Sequence, residues 1–302
     1  MSEASEMNGL SIVIPAYNEE KAIVETIEHV TGVMEPSQTP YEVILVNDGS
    51  TDKTAVIIQS YLHDHPQLAE RVRLVEHAHN RGYGASLKTG IRAAKNEAIC
   101  ITDADGTYPN NRIPELFGMF RERGLDMVVG RRSFKKLPTL TKPAKWFITK
   151  LANFLVDDKI PDINSGLRIF RRSIAMKFFP IICDGFSFTT TITLAMFSNG
   201  YQVHYEPIEY FKRKGKSKIR PIRDTINFIQ LIIRTVAYFN PLKVFVPVSL
   251  LLFLVGFLLF IIGRMGIFFA ETPNDTITIL FVGGIQVLAT GVIADMIAKK
   301  KD

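Results

Sequence analysis

The sequence predicts an α/β domain built on a mostly parallel sheet, followed by helices that belong at a membrane. Three observations carry this reading. Short β-branched runs alternate with helical stretches from Leu10 to Val129, the rhythm of a doubly wound sheet. The polar turns at Pro15 to Glu19, Asn47 to Asp52 and Asp103 to Asp105 each follow such a run, which places them at carboxyl ends of parallel strands, where open sheets bind ligands. The last sixty residues of the 302-residue chain are far more apolar than the rest.

Met1 to Asn8 is polar and reads as a loose tail, so the folded part is expected from residue 9. Leu10 to Ala16 reads as a strand interrupted at Pro15, and the following helix, with apolar Ile23, Ile27 and Val30, is expected to run to about Gly32. Tyr41 to Val46 is a second buried strand. The turn after it, Asn47-Asp-Gly-Ser-Thr-Asp52, offers a Ser or Thr to cap the next helix. Strands at Val72 to Val75, Ala98 to Ile101 and Asp126 to Val129 alternate with helices at Gly84 to Ala94 and Arg112 to Arg123.

The stretch Ile99 to Pro109 is the centre of the reading. A buried β-branched strand ends in Asp103-Ala-Asp105, and side chains two apart on a strand face one side. The two carboxylates are therefore expected to share one divalent cation, with a diphosphate completing its shell. Asp and Gly are also ordinary turn residues, so the pair needs the rest of the chain for support. An EF-hand loop is excluded, because Gly106 falls too early and Pro114 stands where the closing glutamate belongs. Asn80-Arg-Gly-Tyr-Gly does not follow the first strand and lacks a third glycine, which argues against a dinucleotide fingerprint. Its glycines are expected to bring a helix amino terminus close to the sheet or to a phosphate.

Composition narrows the partners. The net charge of +6 points to an anionic partner, and the greasy carboxyl end favours a membrane over nucleic acid, for which no reading module is present. Cys100 and Cys183 are isolated, so neither a disulfide framework nor a zinc cluster is expected. His63, His65, His77 and His79 lack zinc-ligand spacing and are expected at the surface.

Taken in order, Ser11-Ile-Val-Ile-Pro-Ala-Tyr-Asn-Glu19, Val46-Asn-Asp-Gly-Ser-Thr-Asp52, Asn80-x-Gly-x-Gly84, Asp103-Ala-Asp105 and Asp162-Ile-Asn-Ser-Gly-Leu-Arg168 resemble the inverting nucleotide-sugar glycosyltransferases of GT-A fold. The similarity is greatest to dolichyl-phosphate mannose synthase and the bacterial polyprenyl-phosphate glycosyltransferases. It spans residues 10 to 220, and the apolar tail fits the membrane-bound members. The resemblance implies a UDP- or GDP-linked sugar donor, a polyprenyl phosphate acceptor and Mg²⁺ or Mn²⁺. It implies that Pro15, Ala16, Tyr17, Glu19, Val46 and Ala104 line the donor, and that Asp48 holds the base or ribose. Asp103 and Asp105 would hold the metal, with Thr107 at a position where many relatives carry a helping glutamine. Arg132 would face the phosphates as a catalytic cation, while Asp162, Ser165, Arg168, Arg213, Lys216 and Ser217 would serve the acceptor and its phosphate. A homo-oligomer in the membrane is compatible with the same resemblance.

A departing nucleoside diphosphate gathers negative charge, which nearby cations stabilise. A lipid phosphate is already ionised near neutral pH and needs no general base. In the segment Asp184 to Thr191, where many relatives acting on hydroxyls carry a basic acid near a helix start, only Asp184 is acidic, which favours the phosphate. Transfer to a lipid or saccharide hydroxyl, with Asp162 as another acid within reach, is the first alternative. A membrane scaffold that binds nucleotide sugars without turnover is the second. The Gln-x-x-Arg-Trp signature of processive synthases is absent.

Residues 9–220 thus read as the catalytic domain, with an interfacial helix at about 143–157 whose apolar face holds Phe147, Ile148, Leu151, Phe154 and Leu155. The stretch Phe211 to Arg220 carries six cations and no acid, and reads both as a lipid-facing patch and as a phosphate-closing loop. Residues 221–240 read as a juxtamembrane amphipathic helix, with Ile226, Ile229, Ile233 and Val236 on its apolar face. Residues 241–302 read as a transmembrane hairpin with spans at about 244–263 and 276–298. Basic residues before the first span and at Lys299 to Lys301 place both termini and the catalytic domain on the cytoplasmic side. Asp295, beside those lysines, is expected at the interface or paired there.

Overall fold

A computed structural model describes residues 8–132, 150, 153, 154, 156, 159–182, 184, 185, 187–211, 221–265 and 274–300, with only the backbone for 221–228. Seven strands form one sheet: β1 (Leu10–Ala16), β2 (Tyr41–Asn47), β3 (Val72–Glu76), β4 (Ala98–Ile101), β5 (Met127–Arg132), β6 (Arg168–Arg171) and β7 (Val203–Ile208). Their order is β3-β2-β1-β4-β6-β5-β7, and every neighbouring pair is parallel except those made by β6. The reversed β6 brings the Asp162 to Arg168 segment back alongside β4.

Period-two alternation builds a core on each face of the sheet. Leu10, Ile12, Ile14, Val43, Leu45 and Cys100 face α1 (Ile23–Met34), α2 (Thr54–Asp64) and α4 (Ile113–Glu122). Their neighbours Val13, Ile44, Val46, Ile99 and Ile101 face α3 (Tyr83–Ala93), α5 (Arg172–Lys177) and α6 (Phe188–Ser198). The helix α3 lies so close to the sheet at Gly90 that a Cβ there would stand 2.3 Å from Val13 Cγ1. This contact seats the carboxyl half of α3 on the middle of β1, beside Val46 of β2.

The expected helix starts and stops shift in two informative places. Helix α1 continues past Gly32 to Met34, whose side chain is buried. Helix α2 takes its amino-terminal acceptor from neither Ser50 nor Thr51 but from Asp52, which accepts from Thr54 N and Oγ1. Ser50 and Thr51 turn instead toward Asn18.

Three helices follow: α7 (Pro221–Phe239), α8 (Leu242–Met265) and α9 (Asn274–Lys299). In α7 the expected apolar stripe is rotated. Leu231, Ile232, Thr235 and Val236 are buried, with Ile232 and Val236 packing beside Leu194, Ile160 and Ile163, whereas Ile233 is exposed. The helix therefore docks on the domain through one face and leaves Ile233 and Tyr238 outward. Of the segment 143–157, only Lys150, Asn153, Phe154 and Val156 are described; they are helical, and Phe154 is exposed.

Helices α8 and α9 contain 18-residue stretches of mean hydropathy 2.9 and 2.1 and are long and apolar enough to cross a bilayer. They pack along small residues. Ser249 Oγ donates to the Gly284 carbonyl at 2.8 Å, and the rings of Phe253 and Phe245 lie against Gly284 and Gly291. Asp295 pairs with Lys299 at 2.8 Å, one helical turn away. The outward faces carry Leu250, Leu254, Ile279, Ile285 and Ile293, all exposed.

Candidate active site

The carboxyl ends of β1, β2, β3 and β4 are locked into one rim. Asn18, in a left-handed conformation with φ of 56°, donates its backbone N–H to Ser50 Oγ and accepts from Thr51 N at 2.8 Å. Glu19 N donates to Thr54 Oγ1, and Asp48 N to the Ala16 carbonyl. Gly49, at φ +63°, packs on the turn after β3 so tightly that a Cβ would lie 2.5 Å from the His79 carbonyl carbon. Only glycine fits both that angle and that approach.

Asp48 is the hub of this rim, and its surroundings correct one expectation. The carboxylate is buried, with Oδ1 accepting from His77 Nδ1 at 2.7 Å and Arg81 N at 2.9 Å, and Oδ2 from Gly82 N at 2.8 Å. Much of its acceptor capacity thus goes to holding the 77–82 segment. His77 is buried rather than superficial, and its Nε2 meets Thr89 Oγ1 on α3 at 2.9 Å. Zinc spacing was the wrong test for it, because its partners come from the turn after β2 and from α3.

The same segment reaches the acidic pair. Tyr83, the first residue of α3, donates its hydroxyl to Asp103 Oδ1 at 2.9 Å. Burial, with the charge of Asp103 added, pushes the Tyr83 phenol well above its usual range, so it stays a donor. Asp48 and Asp103 are therefore bridged by residues 81–83 along one rim. The Gly166 backbone closes on the other side of Asp103, where a Cβ would stand 2.8 Å from Oδ2.

The strand β4 ends at Ile101, so Asp103 and Asp105 sit in a turn and the expected strand alternation does not orient them. Their placement comes from partners. Asp105 Oδ1 accepts from Thr107 N at 3.1 Å and Thr107 Oγ1 at 2.6 Å, an Asx-type turn. Thr107 is fully buried, and its hydroxyl is engaged in orienting Asp105. Among the described residues no three His, Cys, Asp or Glu side chains group as a metal site. Two carboxylates in one turn fit a hard cation that takes its remaining oxygens from phosphate and water, the habit of Mg²⁺.

Arg132, at the end of β5, is held by Asp162 through Nε and Nη2, each at 2.8 Å, and lies over the Tyr210 ring at 5.3 Å. Burial opposes its charge, but the hydrogen bonds to Asp162 win and raise its pKa further. Tyr210 meets Tyr108 edge-on, and the Tyr108 hydroxyl accepts from Gly166 N at 2.6 Å. Arg132 and Asp162 are thus tied back to the turn that carries Asp103.

Other expected contacts resolve into supports. Pro15, Ala16, Val46 and Ala104 are buried; Val46 packs in the core under α3, and the Ala104 carbonyl accepts from Thr26 Oγ1. They shape the crevice from below. Tyr17 and Glu19 are half-buried in the β1 turn. Ser165 is fully buried and donates to the Gly130 carbonyl. Arg168 is likewise fully buried, binding the carbonyls of Ser165 and Thr189 and the hydroxyl of Thr193 at 2.8 Å. With its donors facing the 163–165 loop and α6, Arg168 joins those elements and does not meet an acceptor phosphate.

The amino terminus of α3 is not open to a phosphate either. Gly84 N and Ala85 N donate to the carbonyls of Gly185 and Asp184. Asp184 in turn pairs with Lys88 at 2.7 Å. Arg213, Lys216 and Ser217 lie outside the described residues.

Comparison with known proteins gives the chain a family. Residues 11–179 match the model of Glycosyl transferase family 2, and residues 240–299 match the GtrB C-terminal hairpin. The chain is 28% identical over 303 residues to dodecaprenyl-phosphate galacturonate synthase of Rhizobium johnstonii, covering 96% of this chain and 88% of that protein. It is 29% identical over 217 residues to dolichyl-phosphate hexose transferase of Haloferax volcanii, covering 70% of this chain and 87% of that one. In fold it is similar to glucosyl-3-phosphoglycerate synthase from Mycobacterium tuberculosis, crystallised with Mn²⁺, UDP and phosphoglyceric acid. The TM-score is 0.57 at 17% identity, over 77% of this chain and 80% of that one. With a GT-A fold, five ordered motifs on its rim and a matching carboxyl-terminal hairpin, the chain belongs to glycosyl transferase family 2.

Proposed function

We propose that this protein is an inverting, metal-dependent glycosyltransferase that moves a sugar from a nucleotide donor to a polyprenyl phosphate at the cytoplasmic face of a membrane. The observation that carries the reading is the joining of the Asp48 turn to the Asp103 turn by residues 81–83, one crevice beside a chain end fit to span a bilayer. In this reading the rim around Tyr17, Glu19 and Asp48 takes the nucleoside. Asp103 and Asp105 hold Mg²⁺ or Mn²⁺, which when bound neutralises charge on the leaving diphosphate. Arg132, oriented by Asp162, adds a fixed positive charge toward that group. Arg213, Lys216 and Ser217 close on the acceptor phosphate, and both termini face the cytoplasm.

The state of the acids favours a phosphate acceptor over a hydroxyl. Asp162 is committed to Arg132 and Asp184 to Lys88. An ionised phosphate, unlike a hydroxyl, needs no carboxylate to remove a proton. The relatives named as acting on dodecaprenyl and dolichyl phosphates support the same acceptor class.

Purified full-length protein in lipid nanodiscs, given a polyprenyl phosphate, Mn²⁺ and a panel of radiolabelled nucleotide sugars, should move label into the organic phase. That label should be released by mild acid, as a sugar on a phosphodiester is. Acid-stable glycolipid would point to a hydroxyl acceptor, and no lipid product with any donor would favour a binding scaffold.

A further inference from the structure

Asp48 has a limited number of places left for a ligand. A carboxylate offers about four acceptor positions, two on each oxygen. Oδ1 accepts from His77 Nδ1 and from Arg81 N, and Oδ2 accepts from Gly82 N. Three positions are filled, one remains on Oδ2, and the side chain is only 4% exposed.

None of the three donors is able to withdraw easily. His77 is gripped at both ring nitrogens, by Asp48 and by Thr89 Oγ1 on α3, and its backbone N–H donates to the Asn47 carbonyl. Gly49 is seated on the backbone of His79 and Asn80, which holds the segment carrying Arg81 and Gly82. A carboxylate oxygen only accepts, so the ring nitrogen that meets it, His77 Nδ1, is the one that carries a proton.

We infer that the crevice selects a uracil-type base over guanine, because His77 fills the second acceptor position of Asp48 Oδ1 and leaves the carboxylate one opening. This rests on the proposed reading, in which Asp48 meets the base. Guanine presents two parallel donors, N1–H and N2–H, and pairs with a carboxylate through both oxygens at once. With Oδ1 saturated, one of those donors would be buried without a partner, a loss of about tenfold or more in affinity. Uracil presents a single N3–H, which the remaining position on Oδ2 satisfies. Cytosine turns an N3 lone pair toward the carboxylate and is disfavoured for a different reason. His77 is thus a specificity residue acting through Asp48.

Calorimetry of the full-length protein in Mn²⁺ with UDP, GDP and CDP tests this. UDP should bind at least about tenfold more tightly than GDP or CDP. His77→Phe removes the ring donor and keeps an apolar filler, so it should narrow the UDP-to-GDP ratio. His77→Asn, whose side-chain amide stands close to the place of Nδ1, should keep it. GDP binding as tightly as UDP in the unaltered protein would overturn the inference while leaving the transferase reading intact. A ratio unmoved in His77→Phe, with the variant still folded by circular dichroism, would overturn the role of His77. Failure of all three nucleotides to bind would overturn both the inference and the proposed function.

Discussion

Asp105→Asn should cut sugar transfer by about 10³-fold while the protein stays folded. The substitution isolates charge from geometry. Asparagine keeps the Oδ1 acceptor that Thr107 N and Oγ1 use, so the turn after β4 retains its hydrogen bonds. What disappears is one of the two negative charges available to a divalent cation. Turnover measured as organic-phase product, with folding followed by circular dichroism, separates the two effects. Unchanged turnover in the folded variant would remove the acidic pair from the mechanism.

Asp162→Ala should be the most destabilising single change at the site. The carboxylate is fully buried and binds Arg132 through two nitrogens and the backbone, and Asn164 N as well. Removing it leaves the largely buried Arg132 guanidinium without its anion, which costs about 3 kcal/mol. Thermal unfolding should shift down accordingly, and transfer should fall with it as Arg132 loses its orientation. Arg132→Ala combined with Asp162→Ala should recover part of the stability, since no lone charge is then buried, but none of the transfer. A double variant no more stable than Asp162→Ala alone would mean that the pair is not what the loop depends on.

Much of this architecture is written in local pattern. The strands β1, β2, β3 and β4 stand where apolar runs end in polar turns, and those turns converge because parallel strands place their carboxyl ends together. The reversal at β6 was not legible, since nothing within Arg168 to Arg171 distinguishes a parallel from an antiparallel neighbour. The site shows the same division. Asp48, Asp103, Asp105, Arg132 and Asp162 all lie in turns or strand ends at one rim of the sheet. Their partners, however, are set by tertiary packing.

Arg168 shows why residue type misleads. An arginine in a motif next to Asp162 invites a phosphate, yet its donors are taken by carbonyls of the 163–165 loop and α6. Thr107 gives its hydroxyl to orienting an acid, which its place in the motif did not show. His77 was hidden because only the fold brings a residue after β3 within 2.7 Å of the turn after β2. Hydrogen-bond accounting finds such roles, because the great majority of buried polar groups are satisfied somewhere.

The central claim is that Asp103 and Asp105 grip a cation through which a nucleotide is held in the crevice. Titration of UDP into the full-length protein, with Mn²⁺ and again after EDTA, measures this directly. The account predicts binding with Mn²⁺ that weakens at least about tenfold on chelation, and a chelator effect that vanishes in Asp103→Asn combined with Asp105→Asn. UDP binding of equal strength with and without the metal, in the unaltered protein, would contradict it.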